Sequence, residues 1–121
     1  MNTENTRKIR LIMLLRNMGI HDTQVLSAIE TTPRENFIPK ALHDKAYEDM
    51  ALPIGLGQTI SQPFVVAIMS QALNLNDRDK VLEVGTGSGY QAVVLAKICR
   101  RLYTIERHKP LLELAQKHFD D

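Results

Sequence analysis

Two short stretches of the chain concentrate the residue types that can do chemistry. EVGTGSGY, residues 83–90, sets Gly85, Gly87 and Gly89 directly after the acidic Glu83, with Thr86 and Ser88 interleaved. Glycines at a strand-to-helix turn permit positive-φ bends, remove the Cβ that would hold a ligand away, and aim helix N-terminal amides outward. The spacing then selects among ligands. A nicotinamide fingerprint needs its third glycine at position 90, which is Tyr90, and a Walker loop needs a following G-K-[ST], which is missing. About twenty residues past the first glycine, Glu106 closes the next apolar run, where a carboxylate lies beside the turn and can accept both hydroxyls of an unphosphorylated ribose. Turn plus acid point to an adenosyl ligand; the plainer reading is a tight strand–helix connection and an exposed strand-end acid.

The second stretch is GLGQTISQPF, residues 55–64, which packs Gln58, Thr59, Ser61 and Gln62 between the apolar ALPI and VVAIMSQAL. So much hydrogen-bonding capacity between two core-like segments needs a use. One use is local, because Ser61 suits the N-cap of a following helix with Pro63 in its first turn. The four histidines, 21, 43, 108 and 118, show no metal-ligand spacing and no H-E-x-x-H pattern, so they read as surface or boundary residues and no metal site is expected. Cys99, in AVVLAKICR, reads as a small packed side chain and not a nucleophile. The methionines at 1, 13, 18, 50 and 69 read as core filling.

Around these stretches the pattern of apolar residues predicts the elements that must hold them. Ile9, Ile12, Met13, Leu15 and Met18 recur at helical spacing up to Gly19, predicting a helix over residues 4–18. Asp22 can cap a second, shorter helix carrying Val25, Leu26 and Ile29. Prolines 33, 39 and 53 break the segment after it into a turn, a short helix near residues 40–47 and an extended link, giving a loop-rich, all-helical front section. Phe64, Val65, Ile68, Met69 and Ala72 predict a helix from Pro63 to about Leu73. KVLEV then reads as a buried parallel strand, YQAVVLAKI as a helix, RRLYTIE as a second strand ending in an acid, and Pro110 opens a last helix, LLELAQKHF. That order is a βαβ unit with a parallel sheet.

Composition sets the outer bounds. With 121 residues, 44% apolar and 24% charged, the chain suffices for one compact globular domain and no more. A formal net charge of +1 offers no global field for nucleic acid or an anionic membrane, and no run is long enough to span a bilayer. The single cysteine excludes an internal disulfide and fits a reducing compartment, most simply the cytoplasm.

An acidic residue followed by G-x-G-x-G, with a second acid closing the next strand, resembles the class I S-adenosylmethionine-dependent methyltransferases. VLEVGTGSGYQAVVLAKI, preceded by ALPIGLGQTISQPFVVAIM and by PRENFIP, is more specifically similar to the protein-L-isoaspartate O-methyltransferase family, from about residue 9 onward. The resemblance implies an α/β, Rossmann-like methyltransferase fold, here truncated after the second strand and led by an N-terminal helical section. Residues 1–62 would form the helical and substrate-loop section and 63–121 the first part of the S-adenosylmethionine-binding domain, one incomplete domain overall. It also implies roles. Ser61 would be the active-site residue, binding substrate with Gln58 and Thr59, while Glu83, Gly85, Thr86, Gly87, Ser88, Gly89 and Glu106 would bind S-adenosyl-L-methionine. The acceptor would be the α-carboxylate of L-isoaspartyl residues in damaged proteins, a repair reaction. A carboxylate with a reference pKa near 4 is already a nucleophile at neutral pH, so hydroxyl and amide donors that orient it suit the chemistry better than a general base.

Family members continue past this point with strands that complete the sheet. Two parallel strands alone are marginal and leave an apolar edge open, so self-association through that edge is a further expectation. Two other readings stand beside the repair enzyme: another class I methyltransferase with a small-molecule acceptor, and a noncatalytic remnant acting as an interaction module.

Overall fold

The structure, a computed structural model, describes residues 3–120. The front section is not all helical. Helix α1 (Thr3–Asn17) and helix α2 (Thr23–Glu30) are followed by two 3-10 turns, Arg34–Phe37 and Lys40–Lys45. Strands β1 (Leu52–Gly55) and β2 (Gln58–Ile60) then form an antiparallel hairpin where an extended link was predicted. Leu52, Ile54 and Ile60 are buried beneath it, and the glycines that punctuate this stretch build its tip. Gly55 and Gly57 take φ values of +105° and +69°, and Leu56 between them is held at +53°, a left-handed conformation costly for a branched side chain. Helix α3 (Pro63–Ala72), strand β3 (Lys80–Val84), helix α4 (Tyr90–Ala96), strand β4 (Arg101–Ile105) and helix α5 (Lys109–Asp120) complete the order. β3 and β4 pair parallel from Lys80 opposite Arg101 to Val84 opposite Ile105, giving the strand–turn–helix–strand–helix order of a Rossmann-like fold.

One apolar core joins the two sections. Leu11, Ile12 and Leu15 of α1 pack with Val25, Leu26 and Ile29 of α2, Phe37, the hairpin residues, Val66 of α3, Tyr90 and Val94 of α4, and Leu111 of α5. Each such side chain contributes about 1.5–3 kcal/mol on burial. The face of α1 differs from the predicted one: Ile9, Met13 and Met18 are exposed, and Leu11 replaces them inside. Methionine is not core filler here. Met13 and Met69 are 59% and 60% exposed, Met18 and Met50 are also on the surface, and Met1 lies outside the described residues. Polar clamps fix the helices. The Gln71 side chain accepts from the amides of His21 and Asp22 and donates to the Gly19 carbonyl, tying α3 to the α1–α2 turn. Asp22 caps α2 as predicted, accepting from Gln24 and Val25, and Lys97 donates to the Thr31 carbonyl at the other end.

The cap of α3 is not Ser61. Gln62 holds the N-cap position without a side-chain bond to the helix amides, and the Asp49 carboxylate, arriving from before the hairpin, accepts from the Phe64 amide at 2.7 Å. Asp49→Ala should therefore cost about 1 kcal/mol of stability, whereas Ser61→Ala should leave stability nearly unchanged. Urea midpoints of the two variants check this, and a larger loss in Ser61→Ala would return the cap to Ser61.

Candidate active site

The parallel register brings the two chemistry-bearing stretches to one end of the sheet. β3 ends at Val84, and the amides of Gly85 and Thr86 both donate to the Ile105 carbonyl, so the turn leaves the ladder alongside the C-terminus of β4. Glu106 follows at once. One of its oxygens accepts from the Gly87 amide at 2.9 Å and the other from the His108 amide at 3.0 Å. Gly87 presents that amide with φ +56°, a conformation most side chains avoid. The backbone bond from His108 and then that from Gly87 hold the Glu106 carboxyl below the usual carboxylate range.

Gln58, Thr59 and Ser61 stand across from the turn, all exposed, and among the described residues none of their side chains makes a hydrogen bond. Thr59 and Ser61 line a cavity of about 450 Å³ together with Glu83, Gly85, Thr86, Gly87 and Ser88. Gln58 and Thr59 line an adjoining cavity of about 600 Å³ with Gly85, Gly87, Glu106 and His108. Of the residues given cofactor or substrate roles from sequence, Gly89 alone lines neither. It is buried behind the turn, where a Cβ would lie 2.7 Å from the Phe119 ring and 3.4 Å from Ala115, so its lack of a side chain lets α5 approach.

Glu83 has a partner that sequence reading missed. Its carboxylate accepts from the Thr104 hydroxyl at 2.6 Å, which commits Thr104's proton, so Thr86 must donate in the 2.6 Å contact between the two threonines. Burial raises the Glu83 pKa, opposed by the Thr104 bond and reinforced by Glu106. The parallel pairing that sets Glu83 opposite Thr104 was the signal available. Tyr90 was singled out only as a missing glycine, yet it is buried at the head of α4, against Phe37 and beneath the Arg34 guanidinium. Burial pushes its hydroxyl up to about 12, with Arg34 opposing. Among the histidines, His118 is half-buried, its Nδ1 2.7 Å from the Ser88 carbonyl and its ring on Phe37. Cys99 is buried and its thiol is raised by burial, in keeping with packing. Among the described residues no group of three or more His, Cys, Asp or Glu could hold a metal ion.

The Glu106 bonds carry a pH signature. Its folded pKa lies below the unfolded value near 4.5, so its contribution is present above that value and is lost as pH falls through the folded pKa. Glu106→Gln should flatten the decline of stability below pH 4.5, read from urea midpoints across the acid range. An unchanged acid limb would mean that the two amide bonds do not form in solution.

Comparison with known proteins matches the chain to a family. The family profile described as Protein-L-isoaspartate(D-aspartate) O-methyltransferase matches residues 6–121. The chain is 66% identical over 114 residues to the Protein-L-isoaspartate O-methyltransferase of Rhodospirillum centenum, covering 94% of this chain and 52% of that one. It is 57% identical to that of Parvibaculum lavamentivorans, covering 100% of this chain and 54% of the relative. The chain thus spans about half the length of the curated relatives it matches. A solved protein-L-isoaspartate O-methyltransferase superposes with a TM-score of 0.83 at 26% identity, covering 93% of this chain and 38% of that one. A second, from Plasmodium falciparum in complex with S-adenosyl-L-homocysteine, superposes with a TM-score of 0.79 at 27% identity, covering 92% and 54%. With shared fold and profile running over nearly the whole chain, it belongs to the protein-L-isoaspartate O-methyltransferase family.

Proposed function

We propose that the chain supplies the cofactor turn and the acceptor loop of a methyltransferase that transfers a methyl group from S-adenosyl-L-methionine to the α-carboxylate of L-isoaspartyl residues in damaged proteins. The observation that carries this reading is the placement of three uncommitted donor side chains, Gln58, Thr59 and Ser61, across adjoining cavities from a glycine turn and a pre-ordered carboxylate.

The residues present fit an adenosyl sulfonium ligand. Glu106 is already fixed by two amides, and each of its oxygens retains a lone pair able to accept a ribose hydroxyl. Gly85 and Gly87 line both cavities, leaving the backbone open to close approach, while Glu83, Thr86 and Ser88 border the first. When bound, S-adenosyl-L-methionine supplies an electrophilic methyl group. The acceptor carboxylate is ionised at neutral pH and requires no base or Lewis acid; Ser61 and Thr59 donate to one of its oxygens and hold the other in line for attack. Methylation turns a poor leaving group into a good one, which lets the neighbouring backbone nitrogen close a succinimide and so begins repair. Partners on this reading are isoaspartyl proteins and peptides, met in the cytoplasm, a placement supported by the single unpaired cysteine. No helix among the described residues is long and apolar enough to cross a membrane.

One observation favours a second reading, an interaction module that self-associates. Leu82, Val84, Tyr103 and Ile105 form an exposed apolar face on the β3–β4 sheet, with Val84 77% exposed. Parallel sheets are ordinarily covered on both faces. Titration of S-adenosylhomocysteine, sedimentation at several concentrations and methylation assays separate the readings. The enzyme reading expects methylation of an isoaspartyl peptide and not of its aspartyl twin; a small-molecule acceptor expects neither. Ser61→Ala should lower turnover about tenfold or more while S-adenosylhomocysteine affinity stays within about twofold. Equal turnover would remove Ser61 from its role.

A further inference from the structure

Arg34 lies at a junction that the proposed chemistry leaves unused. It is 0% exposed. Its Nη1 donates to the Ser61 carbonyl at 3.0 Å and its Nη2 to the Met50 carbonyl at 2.9 Å. Those carbonyls flank the base of the hairpin, just outside the final ladder pair of Leu52 with Ile60. The guanidinium therefore takes over where main-chain pairing stops, and its planar fork sets the spacing of the two chain ends. The same group lies 5.4 Å over the Tyr90 ring, and Tyr90 opens α4 immediately after the glycine turn. Tyr90 and Ser61 line the same cavity. Three segments meet on one side chain: the chain entering the hairpin, the residue leaving it toward α3, and the helix that follows the turn.

A cation buried this completely is a poor device for stability alone. Removing a charge from water is costly, and apolar replacements of buried charges are often neutral or stabilising. The Arg34 Nε atom adds to that cost, since it is buried and meets no acceptor among the described residues. Nearby Asp49 offsets part of the burial, which itself pulls the Arg34 pKa below its ordinary value.

We infer that Arg34 is a positioning residue that sets the Ser61 backbone at a fixed distance from the glycine turn by bridging the Met50 and Ser61 carbonyls against the Tyr90 ring. Arg34 itself lines neither cavity. The inference rests on the proposed methyl transfer for its functional meaning, while its geometric content stands apart from it.

Arg34→Met removes the fork and keeps an apolar side chain of comparable length; Arg34→Lys keeps a charge that cannot span both carbonyls with fixed geometry. Amide hydrogen exchange on the 121-residue chain is the first readout. The inference expects Arg34→Met to retain cooperative unfolding and core protection in α1 and α2, while exchange at the hairpin base and the start of α3, residues 60–66, accelerates about tenfold or more. Arg34→Lys should restore only part of that protection, and it carries the same comparison should Arg34→Met not fold. The second readout is kinetic: turnover of an isoaspartyl peptide should fall about tenfold or more, with S-adenosylhomocysteine affinity within about twofold. Unchanged exchange at residues 60–66, or a uniform acceleration across the core, overturns the inference. Absence of turnover in the unaltered chain counts against the proposed function and leaves the exchange result to decide the place of Arg34.

Discussion

The parallel pairing of β3 with β4 sets Val84 opposite Ile105, and the ladder runs on past the strands because the Ile105 carbonyl accepts from both Gly85 and Thr86, at 2.8 and 3.1 Å. That doubly used carbonyl fixes where the glycine turn begins, and the Glu106 carboxylate, one residue on, then reaches the Gly87 amide. A slip of one residue would move every side chain of a strand to the opposite face. Glu83 would lose Thr104, Thr86 would lose its acceptor, and Glu106 would point away from the turn. The candidate cofactor site is thus a consequence of strand register, held by backbone bonds before any ligand arrives.

The hairpin that carries Gln58 and Thr59 is held by a different kind of force. Its hairpin has only three paired positions with an irregularity between Pro53 and Gly55, and a hairpin so short is marginal by its own bonds. Leu52, Ile54 and Ile60 give it an apolar underside, and two charged side chains close its base: Asp49 caps α3, and Arg34 bridges the carbonyls on either side. Because these two take up the local backbone groups, the hydroxyls of Thr59 and Ser61 are left without internal partners. Structural duty and unsatisfied hydrogen-bonding capacity fall on different residues.

The two faces of the β3–β4 sheet show what packing has and has not done. Val81, Glu83, Leu102 and Thr104 are half-buried on the face where α4 lies, whereas Leu82, Val84, Tyr103 and Ile105 stand exposed on the other. The apolar character of KVLEV and RLYTI suits strands covered on both sides, and the described residues cover one. Leu82 at 62% exposed departs from the buried strand that its composition predicted.

Much of the candidate site's local geometry was legible in the residues themselves. Glycine turns, strand-end acids and the βαβ order depend on local conformation and on periodicity, which are written into short stretches; hence residues 83–106 take the strand–turn–helix–strand order read from them, and Asp22 caps α2 where predicted. Long-range partnerships were not legible. The hairpin leaves no sequence signal because its strands are four and three residues long, too short for alternation to show. Sequence alone points to Ser61 as the cap of α3 because it stands in the usual place, yet Asp49, fifteen residues from the amide it serves, is brought there by the hairpin fold. Arg34 gave no signal in sequence, since a lone arginine is ordinarily solvated, and only tertiary packing could show it buried between two carbonyls and a tyrosine ring. Sequence alone determined which residues could do the chemistry, because side-chain type and local backbone preference are properties of short segments. Tertiary structure alone decided which of those residues remain uncommitted to do it, because partners for buried polar groups are recruited across the fold.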